Sequence, residues 1–247
     1  MRCIVVCLLI MFFILPACGT TNSAADPHGT EGSDSIQTDN YANKKLNYFY
    51  YIPSTIAANP DHAYPLLVMI PGLSGRGEDF VSRNTKLFAD TEGFMIIAPS
   101  FTWDEVNWDS NESYQYPSVW SGDALLEIID QFEAQNDVKV STLYLLGYSA
   151  GAQFALRFCV WKPQLCTACA AHASGGKVFL SEYIDVAFFV TVGKQDQDFR
   201  ISNFDSFCSK AKNLGIDVEC KQYSTGHSIS AYQIQDSLDF IARQSVQ

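Results

Sequence analysis

The chain is expected to fold as a mostly parallel, doubly wound α/β sheet without a cap domain, and three features of its 247 residues predict this. Short apolar runs of strand length alternate with amphipathic stretches of helix length, the rhythm of β-α-β units. One run, residues 143–148, ends in Gly147-Tyr148-Ser149-Ala150-Gly151 and continues as a helical pattern. Two later runs end in turns that carry Asp196 and His227.

The elements follow in order. Leu46, Tyr48, Tyr50 and Ile52 alternate up to Pro53 and read as a strand near the start of the sheet. Residues 54–63 read as a loop. Residues 65–70 form a continuous apolar run, the signature of a strand buried on both faces, stopped at Pro71-Gly72-Leu73-Ser74-Gly75-Arg76-Gly77. Residues 78–90 read as one helix closed by Gly93, and residues 94–98 as a strand ended by Pro99. A long loop over 100–117, rich in tryptophan and tyrosine, precedes a helix with Leu125, Ile128, Ile129 and Phe132 on one face. After the Gly-x-Ser-x-Gly helix come strands over 167–173 and 186–192, a helix over 199–213, a strand over 216–223 and a last helix over 229–242.

The Gly-x-Ser-x-Gly turn is a nucleophile elbow. The chain reverses so tightly that Ser149 takes a strained backbone conformation, and Gly147 and Gly151 stand where a side chain would clash. A serine hydroxyl needs a base to take its proton and a third group to orient that base. His227 is the candidate base. Asp196 and Asp198 compete as the acid. The oxyanion formed on attack needs two preorganised donors, expected from the amide of Ala150 at the start of the elbow helix and from Leu73 in the glycine-rich loop.

These pieces, with Tyr51-Ile52-Pro53, residues 64–68, Gly193-Lys194-Gln195-Asp196 and Gly226-His227, resemble the α/β-hydrolase superfamily over the stretch from about Tyr48 to the C-terminus. Within it the chain looks most like short, capless esterases of the polyhydroxybutyrate depolymerase, feruloyl esterase and carboxylesterase type. The resemblance implies the order Ser149, Asp196, His227 and places the acid at Asp196. It also implies cleavage of carboxylic esters through an acyl-enzyme, without metal or organic cofactor. A peptidase or acyltransferase would use the same triad, and a noncatalytic binding module would keep the fold without the chemistry.

Too few residues separate Ser149 from Asp196 for an inserted cap, so the site is expected to be open. An open site suits a bulky, aryl or polymer-attached ester. Trp103, Trp108, Tyr116 and Trp120 are the candidate wall.

The first residues stand apart. Arg2, an apolar run over 4–15 and Leu15-Pro16-Ala17-Cys18 read as a signal peptide over 1–17, with Cys18 placed as the lipid-modified cysteine of a bacterial lipoprotein. The expectation is an exported domain of the cell envelope, held to the membrane only by lipid on Cys18. The alternative is a soluble periplasmic or secreted protein. Residues 18–43, rich in Gly, Ser, Thr, Asn and Asp, read as a solvated tether, leaving 44–247 as the catalytic domain. A net charge of −11 argues against nucleic acid. Export permits disulfides, and Cys159–Cys166 and Cys208–Cys220 are the sequence-near pairings expected. Cys166-x-x-Cys169-x-x-His172 has metal-ligand residue types but no fourth ligand nearby, and reads as a buried strand.

Overall fold

A computed structural model describes residues 26–37, 45–57, 61–101 and 113–245. Eight strands form one sheet in the order β1-β2-β4-β3-β5-β6-β7-β8. These are β1 (Gly29–Gln37), β2 (Lys45–Pro53), β3 (Ala63–Ile70), β4 (Met95–Ser100), β5 (Lys139–Tyr148), β6 (Cys166–His172), β7 (Ala187–Gly193) and β8 (Val218–Tyr223). β1 and β2 are antiparallel to their neighbours, whereas β4, β3, β5, β6, β7 and β8 run parallel.

The continuous apolar runs supply two cores at once, because successive side chains of a strand point to opposite faces. Leu66, Val68 and Ile70 of β3, with Leu143 and Leu145 of β5, join one cluster; Leu67, Met69, Tyr144 and Leu146 join the other. The first face is covered by α4 (Ser121–Asn136), α5 (Ala150–Trp161) and α6 (Asp198–Asn213), whose Leu125, Phe132, Phe154, Phe158 and Phe207 lie in that cluster. On the second, α7 (Ala231–Ser245) supplies Leu238, Phe240 and Ile241, and α3 (Arg83–Glu92) supplies Ala89.

Four expectations are corrected. Residues 29–37 are not a tether but the edge strand β1, so the folded unit starts before residue 44. Composition misled here because β1 buries little of its own, chiefly Ile36, and is held by backbone pairing to the apolar β2. Its glycines make room for neighbours: a Cβ on Gly32 would lie 2.7 Å from the Tyr50 hydroxyl. The single helix expected over 78–90 is two, α2 (Gly77–Phe80) and α3, separated by extended Val81 and by Ser82, whose hydroxyl caps α3 by accepting from the Thr85 amide. Pro99 does not end its strand but pairs with Tyr48 within β4. Residues expected to be wholly loop include α1 (Ser54–Ala57).

The cysteine pairing is half as expected. Cys208 of α6 and Cys220 of β8 form a disulfide, while Cys159, Cys166 and Cys169 are buried free thiols. Cys159 lies wholly inside the core, where burial first, and then contact with Cys166 and Cys169, pushes its thiol well above the usual range. These three side chains act as small hydrophobes. The proposed signal peptide and Cys18 lie outside the described residues. Among the described residues no helix is long and apolar enough to cross a membrane.

The disulfide closes a short loop between neighbouring elements, its cysteines 12 positions apart in sequence. Replacing both Cys208 and Cys220 with alanine is expected to lower unfolding stability by about 3 kcal/mol, measured by denaturant titration.

Candidate active site

β5 delivers the chain to Ser149, which takes φ 54° and ψ −113°, a conformation costly for a residue with a side chain. The reason lies in how closely α5 returns over the sheet. A Cβ on Gly151 would come within 2.1 Å of the Ile70 carbonyl oxygen, and one on Gly147 within 2.4 Å of the Gly151 oxygen. The Ser149 amide donates to the His172 carbonyl at the end of β6 (2.8 Å), which locks the turn to the neighbouring strand.

The acid and base turns are packed backbone against backbone. The Lys194 amide donates to the Tyr223 carbonyl and the Gln195 amide to the Thr225 carbonyl. A Cβ on Gly193 would lie 2.2 Å from the Thr225 oxygen, so only glycine permits this approach. The side chains of Ser149, His227 and Asp196 therefore converge. Ser149 Oγ lies 3.0 Å from His227 Nε2, and His227 Nδ1 lies 3.0 Å from Asp196 Oδ2. Asp196 has no exposed side-chain surface, and its Oδ1 accepts from the Gln197 amide at 2.8 Å. Asp198 begins α6 and is exposed, so of the two aspartates it is Asp196 that meets the imidazole.

Leu73 and Ala150 also flank the serine. Ala150 is the first residue of α5, where an amide has no partner within the helix. The loop after β3 runs beside the elbow: a Cβ on Gly72 would lie 3.6 Å from that of Ser149. Leu73 follows it, half-exposed, and Ser74 takes φ 58°.

The expected aromatic wall divides. Trp103 and Trp108 lie outside the described residues. Trp120 is 1% exposed and packs edge-on to Phe101 in the core, so it is no part of a wall. It is buried because the helix it precedes buries its first turn. Tyr116 does line a cleft of about 880 Å³ beside the elbow helix, with its ring 4.1 Å from the Arg157 guanidinium. The other rings of that cleft, Trp161, Phe179 and Phe199, were not singled out from sequence; Phe179 and Phe199 are exposed. Gln153, one turn along α5 from Ser149, and Arg200, near Asp196, join the cleft to the site.

Tyr148, the second residue of the motif, was also overlooked. Its ring stacks on His227 at 5.3 Å and its hydroxyl donates to the His227 carbonyl. Burial, then the Asp196 charge, holds that hydroxyl above its usual pKa, so it stays a donor.

Among the described residues no group of three or more His, Cys, Asp or Glu side chains is placed to hold a metal ion. His172 is fully buried and bonded on both sides, to Thr191 through Nδ1 and to Ser237 through Nε2. Ser237 donates its own proton to the Gln233 carbonyl, so it accepts from Nε2–H and leaves Nδ1 to accept from Thr191. Burial brings the His172 pKa from 6.5 to about 4, against a smaller upward pull from Asp236. The unfolded chain therefore binds the extra proton first, and stability falls as pH drops from about 6.5 through about 4, by roughly 3 kcal/mol in all. Replacing His172 with glutamine is expected to flatten that segment of the stability-against-pH curve, measured by chemical denaturation at stepped pH.

The dienelactone hydrolase family pattern matches residues 54–244. A bifunctional acetylxylan esterase/xylanase of Neocallimastix patriciarum is 24% identical over 234 residues, covering 79% of this chain but only 33% of that protein, so the chain spans about a third of that relative's length. A ferulic acid esterase has the same fold with a TM-score of 0.70 at 15% identity, covering 88% of this chain and 99% of its own. An S-formylglutathione hydrolase from Agrobacterium tumefaciens gives 0.68 at 15% identity, covering 90% and 96%. A poly(3-hydroxybutyrate) depolymerase from Bordetella parapertussis gives 0.62 at 18%, covering 87% and 88%. The chain belongs to the dienelactone hydrolase family and has the α/β-hydrolase fold.

Proposed function

We propose that this protein cleaves carboxylic esters through a covalent acyl-enzyme on Ser149, with His227 as base, Asp196 as orienting acid, and the amides of Leu73 and Ala150 as oxyanion donors. The observation that carries the reading is the unbroken line from Ser149 Oγ through His227 to Asp196, two contacts of 3.0 Å. With the neutral imidazole donating Nδ1–H to Asp196, Nε2 is left to accept from the serine. Ser149 Oγ attacks the ester carbonyl carbon as its proton passes to Nε2. The tetrahedral oxyanion collapses, the C–O bond to the alcohol breaks, and the alcohol leaves with the proton from Nε2. Water then repeats the sequence, His227 taking its proton, and releases the acid.

The cleft supports a reading of the substrate class. Its aromatic rings and openness favour an aryl acyl group carried by a bulky or polymeric alcohol, the chemistry of a ferulic acid ester. Export through the leader over residues 1–17, with lipid on Cys18, completes the proposal and would place the domain at the cell envelope.

Replacing Ser149 with alanine is expected to lower kcat on a short p-nitrophenyl ester at least about 10⁴-fold and to abolish labelling by a fluorophosphonate, with the thermal melt unchanged. Retained turnover or labelling would refute the assignment. Replacing Phe199 with alanine is expected to raise KM for a methyl hydroxycinnamate by about fivefold while leaving p-nitrophenyl acetate unaffected, read from steady-state kinetics.

A further inference from the structure

The acid of the site has a third partner. Arg200, in the first turn of α6, places Nε 3.6 Å from Asp196 Oδ1, the oxygen that does not face His227. Its NH1 donates to the Ala173 carbonyl (2.9 Å), and its Nε donates to the Gln197 side chain (3.2 Å). Ala173 has φ 54° and follows the residue whose carbonyl holds the Ser149 amide. One guanidinium thus ties the end of β6 to the acid turn after β7. Only 15% of its side chain is exposed, so its charge acts on Asp196 with little screening by water.

We infer that Arg200 is a positioning residue for ester cleavage: it fixes the Asp196 carboxylate so that Oδ2 meets His227, and its positive charge opposes that of the carboxylate beside the imidazole. This rests on the triad proposed above.

An unopposed buried carboxylate would favour imidazolium beside it, and an imidazolium cannot accept from Ser149. Among the described residues, the charged and titratable groups around Asp196 are His227 from the loop after β8, Tyr148 from β5 and Arg200 from α6. His172 of β6 is buried and bonded to Thr191 and Ser237 instead, and Lys194 and Asp198, which flank Asp196 in sequence, are exposed to solvent. Arg200 is thus the cation set against the acid. The Cβ of any residue other than glycine at 175 would come 2.5 Å from its NH1, so Gly175 leaves the guanidinium its place.

The test is kcat/KM for a p-nitrophenyl ester from pH 5 to 9 in wild type, Arg200→Gln and Arg200→Lys, with fluorophosphonate labelling and thermal melts alongside. Arg200→Gln is expected to cost about tenfold at pH 7 and to move the acid limb of the profile upward by about one pH unit. Arg200→Lys, which keeps the charge, is expected to leave the limb within about 0.3 unit of wild type. A limb that stays in place in Arg200→Gln, whatever the loss of rate, overturns the inference, as does an equal shift in both variants. If Arg200→Gln melts below the assay temperature, Arg200→Met, which keeps the aliphatic stem, takes its place under the same criteria. A wild-type protein that neither labels nor turns over would instead refute the triad itself, so the two failures are told apart.

Discussion

The close passage of α5 over the end of β3 sets the geometry on which the site depends. With the Ile70 and Pro71 carbonyl oxygens 2.1 and 2.4 Å from where a Cβ on Gly151 would sit, no larger residue lets the helix begin where it does. Ser149 absorbs the reversal in its own backbone, and the strain is held because its amide is bonded to β6 and its neighbours are pinned by β3. The consequence is positional. The serine hydroxyl, the glycine-rich loop after β3 and the first amide of α5 meet at one end of the parallel sheet, the end to which β7 and β8 also bring their turns.

Burying Asp196 is the second constraint. A carboxylate with no exposed surface must be met by donors or charge, and the chain supplies three: the Gln197 amide, the His227 ring and the Arg200 guanidinium. Two of these come from the acid turn and the helix that follows it, so folding of α6 prepares the carboxylate before any substrate arrives. The Cys208–Cys220 disulfide fastens the same helix to β8, whose following loop carries His227. The turn that carries Asp196 and the loop that carries His227 are therefore tied through α6, by the disulfide at Cys208 and by the Arg200–Asp196 ion pair.

The parallel centre of the sheet was legible because its strands are apolar on both faces, and the elbow because two glycines and a serine have few other uses at that spacing. Asp196 and His227 were read from turns that close strands, and the resemblance to α/β-hydrolases implied their order after Ser149. β1 was not legible, since its stability is borrowed from β2 and leaves no periodic trace in Gly29–Gln37. Trp120 was misplaced for a related reason: loop composition marks where aromatic residues occur, not which way they turn. Cys159 and Cys166 are near in sequence, yet burial in one core does not make a bridge, whereas Cys208 and Cys220 are brought together by a helix packing on the adjacent strand.

Net charge was the least local of the sequence signals, and the cleft shows why that matters. The chain carries −11 overall, but the described residues lining the cleft include Arg157, Lys177 and Arg200 and no carboxylate. Arg157 is drawn inward against Tyr116 and the carbonyls of Gln115 and Lys177, and burial lowers its pKa without removing its charge. These cations come from α5, from the segment after β6 and from α6, three places far apart in sequence. Whole-chain charge governs what the surface repels at a distance, while a molecule in the cleft meets only the few groups within a Debye length. An acidic protein can therefore carry a cleft whose described lining is cationic and aromatic, assembled from residues of α5, of the segment after β6 and of α6.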